Sequence, residues 1–123
     1  MNNQQKFLVV DDDEIFLFTA KYVLQKLHPE IEIVTARNGE EALEQIKTEA
    51  PRALFLDLNM PVMDGWEVLE NLKKANDQSP FPIIIVTSSI DPSDKERAEA
   101  HPFEPGFVEK PLSEGSVKSL NLN

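Results

Sequence analysis

No cysteine occurs in the 123 residues, which excludes a disulfide framework, thiolate chemistry and any metal site built on cysteine. Equally absent is an apolar run approaching the ~18 residues of a membrane span, and the opening Met-Asn-Asn-Gln-Gln-Lys lacks the apolar stretch of a signal peptide. The expectation is a cytoplasmic protein with no membrane partner. Positive charge is scarce as well. Twelve Lys and Arg against 22 Asp and Glu leave a formal net charge of −10, a field that repels nucleic-acid backbones and anionic lipid surfaces. A direct nucleic-acid partner is therefore not expected. Internal repeats and low-complexity segments are also missing, which sets aside solenoids and linker-joined arrays.

What is present has the balance of an ordinary folded domain, with 41% hydrophobic and 28% charged residues, far from the signature of disorder. The length falls within the usual single-domain size of roughly 100 to 150 residues, so residues 1–123 read as a single domain. Five short apolar runs, at residues 7–10, 31–36, 53–56, 83–86 and 107–108, read as strands. The near-continuous Ile83-Ile84-Ile85-Val86 suits a strand covered on both faces, the habit of parallel sheets.

Between these runs, apolar residues recur at helical spacing: Ile15, Phe18, Tyr22 and Leu27, then Ala42, Leu43 and Ile46, then Trp66, Leu69 and Leu72. Asn38 precedes Glu41 by three residues and Asp64 precedes Glu67 by three, both resembling capping boxes, and Asp91-Pro92 supplies an N-cap followed by proline. The helix expected over residues 92–100 is mostly polar, and residues 112–123 allow only a short fifth helix interrupted by Gly115. Five alternations of strand and helix predict an α/β fold with a doubly wound, five-stranded parallel sheet and right-handed crossovers. The flavodoxin-like (βα)5 order 2-1-3-4-5 is the natural choice, with ligands gathering where strands one and three end.

The strand ends carry a polar set. Asp11, Asp12 and Asp13 follow strand one, Asp57 follows strand three, Thr87 and Ser88 follow strand four, and Lys110 follows strand five. Neighbouring strands lie about 4.8 Å apart, so Asp57 shares a crevice with the first aspartates. Two ionised carboxylates about 4 Å apart repel by about 4 kcal/mol at an effective dielectric of about 20, which calls for a cation; an oxygen-only donor set suits Mg²⁺. Asp13 by itself is sufficiently explained as the cap of the first helix.

Val9-Val10-Asp11-Asp12, the stretch from Asp57-Leu58-Asn59-Met60-Pro61 to Asp64-Gly65, the Thr87-Ser88 pair and Phe107-Val108-Glu109-Lys110-Pro111 together resemble the signature of response-regulator receiver domains (CheY-like) of two-component signal transduction. The resemblance implies a phosphorylated signalling switch that promotes its own phosphotransfer and dephosphorylation, rather than an enzyme with a separate substrate. In that reading Asp57 is the phosphoacceptor for a phosphohistidine on a sensor histidine kinase or phosphotransfer protein. Asp11, Asp12, Asp57 and the backbone carbonyl of Asn59 hold Mg²⁺ or Mn²⁺. Lys110, the Thr87 hydroxyl and the Ser88 N–H contact the phosphoryl group, and Thr87 and Phe107 switch the face of helix four, strand five and helix five. That face then signals to a downstream protein, an output domain or a phosphorylation-dependent dimer. The resemblance also implies a cis Lys110-Pro111 bond, and it gives Asn59 and Ser89 influence over phosphoryl lifetime.

The main departure from the family pattern is His101-Pro102-Phe103-Glu104-Pro105-Gly106 before strand five, where the family has a short turn of small residues. His28 and His101 have no companion ligands and read as surface or packing residues. The chain is either a complete stand-alone receiver or one trimmed at an output-domain boundary. Other classes fit parts of the pattern. A haloacid-dehalogenase-like phosphatase would use an Asp-x-Asp motif such as Asp11 and Asp13, but its later acidic pair and its cap are missing. A receiver-like interaction module that signals without phosphorylation would not need the full set of Asp11, Asp12, Asp57, Thr87 and Lys110. A flavodoxin would replace Asp-Asp-Asp-Glu with a hydroxyl- and glycine-rich loop.

Overall fold

The computed structural model describes residues 6–89 and 91–122. Its elements alternate as β1 (Lys6–Val10), α1 (Glu14–Leu27), β2 (Glu32–Ala36), α2 (Gly39–Thr48), β3 (Ala53–Leu56), α3 (Gly65–Ala75), β4 (Ile83–Thr87), α4 (Pro92–Ala100), β5 (Gly106–Glu109) and α5 (Glu114–Lys118). All strand pairs are parallel and the order is β2-β1-β3-β4-β5, the doubly wound arrangement expected. The central strands β3 and β4 are buried along their whole length, because helices cover both faces of the sheet.

Successive side chains along a strand point to opposite faces, and two apolar layers follow. Leu8, Val10, Leu54, Leu56, Ile83 and Ile85 pack with Val68, Leu69 and Leu72 of α3. Phe7, Val9, Phe55, Ile84 and Val86 pack with Leu17, Ala20 and Leu24 of α1 and Val117 of α5. Phe7 and Phe55 meet edge to face with ring centroids 5.6 Å apart. Burying a side chain such as Leu24 or Leu69 contributes roughly 1.5–3 kcal/mol.

The helix starts follow their caps. Asp13 accepts from the N–H groups of Ile15 and Phe16, and Asp64 forms a complete capping box with Glu67. Asn38 accepts from the Glu41 N–H, but the Glu41 carboxylate reaches the Arg37 N–H instead of closing the box. Asp91 caps α4 with Pro92 in its first turn.

Helical spacing marked α1 without choosing its packed face. Ile15, Phe18 and Tyr22, at helical spacing, form the solvent face of α1, each at least 65% exposed. The sheet instead receives Phe16, Leu17, Ala20 and Leu24. The helix carries two apolar stripes at the same spacing, and the one with the small Ala20 lets the helix approach the strands closely. The segment before β5 is a packed turn rather than a loose insertion. Phe103 enters the core, and His101 is buried with its ring edge-on to Phe103 and its Nδ1 accepting the Phe103 N–H. His28 likewise packs edge-on against Phe7. The Lys110–Pro111 peptide bond is cis.

Candidate functional site

The backbone ladder runs on beyond the strand ends and assembles the crevice. The Asp11 N–H donates to the Ala36 carbonyl (3.1 Å), the Asp57 N–H to the Val10 carbonyl (3.0 Å) and the Lys110 N–H to the Thr87 carbonyl (2.8 Å). Because Val10 is level with Leu56, Asp11 and Asp57 emerge side by side. Asp11, Asp57 and Thr87 are buried polar residues, whereas Asp12 lies open to solvent. Carboxylate oxygens of Asp11, Asp12 and Asp57 all fall within 4.8 Å of one another.

Lys110 Nζ lies 2.7 Å from Asp11 Oδ2 and 3.8 Å from Asp57 Oδ1, and it sits 4.4 Å from the centroid of the Phe16 ring. The lysine therefore rests on Asp11 first and Asp57 second. Asp11 Oδ1 accepts the Asp13 N–H at 2.9 Å, while Oδ2 is buried and has no aligned hydrogen bond, its contact with the ammonium being an ion pair. Burial, reinforced by repulsion from Asp11, pushes the Asp57 carboxyl up to about 6; Lys110 and the N–H groups of Leu58 and Asn59 pull the other way. Three carboxylates against one ammonium, with one buried carboxylate oxygen lacking an aligned donor, fit a hard divalent cation that takes oxygen ligands.

The Thr87 hydroxyl accepts the Ser89 N–H at 3.1 Å. Ser88 is exposed, as is Asn59, and Phe107 is half-buried against the α3-side layer. Gly65 backs the site. A Cβ there would come within 2.4 Å of the Asp57 carbonyl, so only glycine lets the start of α3 pass this close behind Asp57. Three supporting features escaped the sequence reading: the Phe16 ring beside Lys110, the pairing of Lys110 with Asp11, and the contacts of Ser89 with Thr87 and α4. Each depends on tertiary placement. A wider groove of 610 Å³ along α2, lined by Asn38, Glu44 and Lys47 among others, holds none of the strand-end residues.

The sequence matches the response regulator receiver domain over residues 7–120, and the chain belongs to that family, the CheY-like receivers of two-component systems. It is 46% identical over 102 residues to a protein-glutamate methylesterase/protein-glutamine glutaminase of Halalkalibacterium halodurans, a match covering 80% of this chain and 27% of that protein. It is 36% identical over 91 residues to the alkaline phosphatase synthesis transcriptional regulatory protein PhoP of Bacillus subtilis, covering 74% and 36% respectively. The chain thus spans well under half the length of these relatives. Among solved structures, it is similar to a two component response regulator from Cytophaga hutchinsonii, with a TM-score of 0.86, 26% identity and coverage of 97% and 95%. It is also similar to the chemotaxis protein CheY4 of Vibrio cholerae, with a TM-score of 0.81, 26% identity and coverage of 96% of each chain. Among the described residues no helix is long and apolar enough to cross a membrane.

Proposed function

We propose that the chain is a cytoplasmic phosphoacceptor switch in which Asp57 takes a phosphoryl group from a phosphohistidine on a sensor histidine kinase or phosphotransfer protein. The observation that carries this reading is the pairing of a buried Asp57, its carboxyl raised to about 6, with Asp11, Asp12 and Lys110 around one crevice. The ionised Asp57 carboxylate is the nucleophile, and a cation held beside it would favour that form. A carboxylate oxygen of Asp57 attacks phosphorus, the P–N bond breaks with its electron pair going to the imidazole, and an acyl phosphate remains on Asp57.

Asp11, Asp12, Asp57 and the Asn59 carbonyl would hold Mg²⁺ or Mn²⁺, which when bound neutralises charge on the transferring oxygens. Lys110, on its flexible stem, leaves Asp11 to pair with a phosphoryl oxygen. The Thr87 hydroxyl has no acceptor among the described residues and donates to a second oxygen, with the Ser88 N–H as a further donor. The new double negative charge gives the differential interaction that a population shift requires. Phe107 then turns inward, changing the α4–β5–α5 face that a downstream protein, an output domain or a second phosphorylated copy reads.

The exposed Ile15, Phe18 and Tyr22 give the phosphodonor a docking surface. The stripe begins in the first turn of α1, directly after Asp12 and Asp13, so a protein bringing a phosphohistidine to Asp57 covers it. A small phosphodonor with Mg²⁺ should label the wild-type chain, and Asp57→Asn should take up little or no label. Equal labelling of the two would sink the assignment, and steady turnover of an added phosphomonoester would favour a phosphatase instead.

A further inference from the structure

Helix α4 is lightly held. Of its nine residues only Ala98 is buried, and a cleft of 290 Å³ opens between its first turn and β5, lined by Ser89, Asp91, Pro92, Lys95, Phe107 and Glu109. Among the described residues, side-chain contacts tie the helix to the body at both ends. At its far end, the Arg97 guanidinium lies 4.3 Å from the centroid of the Trp66 ring on α3. At its near end, the Ser89 hydroxyl donates to Asp94 Oδ2 at 2.7 Å and accepts the Asp91 N–H at 3.2 Å. The same Ser89 gives its own N–H to the Thr87 hydroxyl. A continuous chain of hydrogen bonds therefore runs from Thr87 at the crevice, through Ser89, to the third residue of α4.

We propose that Ser89 and Asp94 act as positioning residues, a latch that holds the Thr87 hydroxyl and the first turn of α4 in the arrangement described and so sets how readily occupancy of Asp57 moves the helix. This rests on the phosphoacceptor reading above and names its regulation. When Thr87 Oγ1 is drawn toward a phosphoryl oxygen, the Ser89 N–H loses its acceptor, and the strain passes to the Ser89–Asp94 bond. The cleft beside Phe107 supplies the room into which the loosened segment and the ring can move. Weakening the latch raises the population of the switched state, and a ligand that prefers that state binds more tightly by the same factor.

Trp66 is the sole tryptophan, and its contact with Arg97 makes its fluorescence a direct report on α4. The full chain, saturated with Mg²⁺, is titrated with beryllofluoride, a stable mimic of the phosphoryl group. Occupancy is counted separately by fluorine NMR. Losing this hydrogen bond predicts that Asp94→Ala lowers the titration midpoint by about five- to tenfold. Asp94→Asn keeps an acceptor oxygen for Ser89 but loses the negative charge at the helix start, and should titrate like wild type. Ser89→Ala should also lower the midpoint, and the double substitution Ser89→Ala with Asp94→Ala should go no lower than the stronger single change, as expected for partners in one bond.

A wild-type midpoint in Asp94→Ala overturns the latch, as does an Asp94→Asn midpoint that follows Asp94→Ala, because the charge at the helix terminus would then be responsible. A wild-type chain that binds no beryllofluoride overturns the phosphoacceptor reading itself, and the latch with it.

Discussion

Replacing Asp57 with asparagine should stabilise the metal-free protein, and by an amount that depends on pH. The folded chain raises the Asp57 carboxyl from 3.8 to about 6, so between those values the folded state holds a proton that the unfolded state has released. The group's protonated form is thus the one the fold prefers. Its unfavourable contribution is absent below about pH 4, grows as pH rises through that window, and is complete above about pH 7. A shift of about 2 pKa units at 1.36 kcal/mol each corresponds to about 3 kcal/mol of destabilisation by the ionised group. Asparagine removes the charge but leaves a buried amide whose N–H groups need acceptors, so the net gain should be about 1–3 kcal/mol. With a urea m-value of about 1–3 kcal/mol/M, that is a rise of about 1 M in midpoint. Urea unfolding followed by Trp66 fluorescence, in chelator, at about pH 8 and again near pH 4, measures it. The difference between the variants should be large at the higher pH and nearly vanish at the lower. An equal difference at both, or none at the higher, would show that burial and Asp11 do not perturb Asp57 as described.

Two other perturbations probe the same crevice and its approach. Lys110→Ala removes the cation 2.7 Å from an Asp11 that is 1% exposed; breaking a buried pair costs about 3–5 kcal/mol, and the partial exposure of Lys110 brings the expectation to about 2–3 kcal/mol. Saturating Mg²⁺ should restore much of that loss, and urea midpoints with and without the cation test both parts. Phe18→Asp, on the exposed stripe of α1, should slow transfer from a cognate phosphohistidine protein about tenfold or more, as expected when a buried aromatic anchor is lost. The rate with a small phosphodonor should be unchanged, since in the proposed reading that stripe serves the protein donor alone.

The order of elements was readable because the strands are buried on both faces. Ile83 to Val86 has no polar alternation to confuse it, and the caps at Asp13, Asp64 and Asp91 mark where helices begin. The site was readable for a related reason, because an apolar run that ends abruptly in Asp11 or Asp57 places a charge at the carboxyl edge of the sheet. What spacing did not resolve was which face of α1 packs, since Leu17, Ala20 and Leu24 repeat at the same interval as Ile15, Phe18 and Tyr22. Nor did it give the resting place of Lys110. The resemblance directed the lysine to a phosphoryl oxygen, whereas in the structure the ammonium rests on Asp11, the more buried of its two carboxylate neighbours. His101 read only as a surface or packing residue, and its burial depends on Phe103 folding back beneath it, a contact within a turn of no regular periodicity.

The distribution of burial separates chemistry from readout. Asp11 and Asp57 extend from β1 and β3, whose interior positions are almost fully enclosed and whose backbone bonds continue past the strand ends. Charged groups there are held by the most stable part of the fold, which keeps their geometry fixed while the charge on them changes. The proposed output face is built oppositely. β5 is an edge strand with no fully buried residue, α4 buries only Ala98, and α5 is five residues long. Few buried apolar contacts mean a small free energy of local rearrangement, so a perturbation of a few kcal/mol at Thr87 is large against what holds α4 but small against what holds β3. In the proposed switch the crevice would therefore gain a doubly charged group without distorting itself, and the displacement would appear where the packing is thinnest.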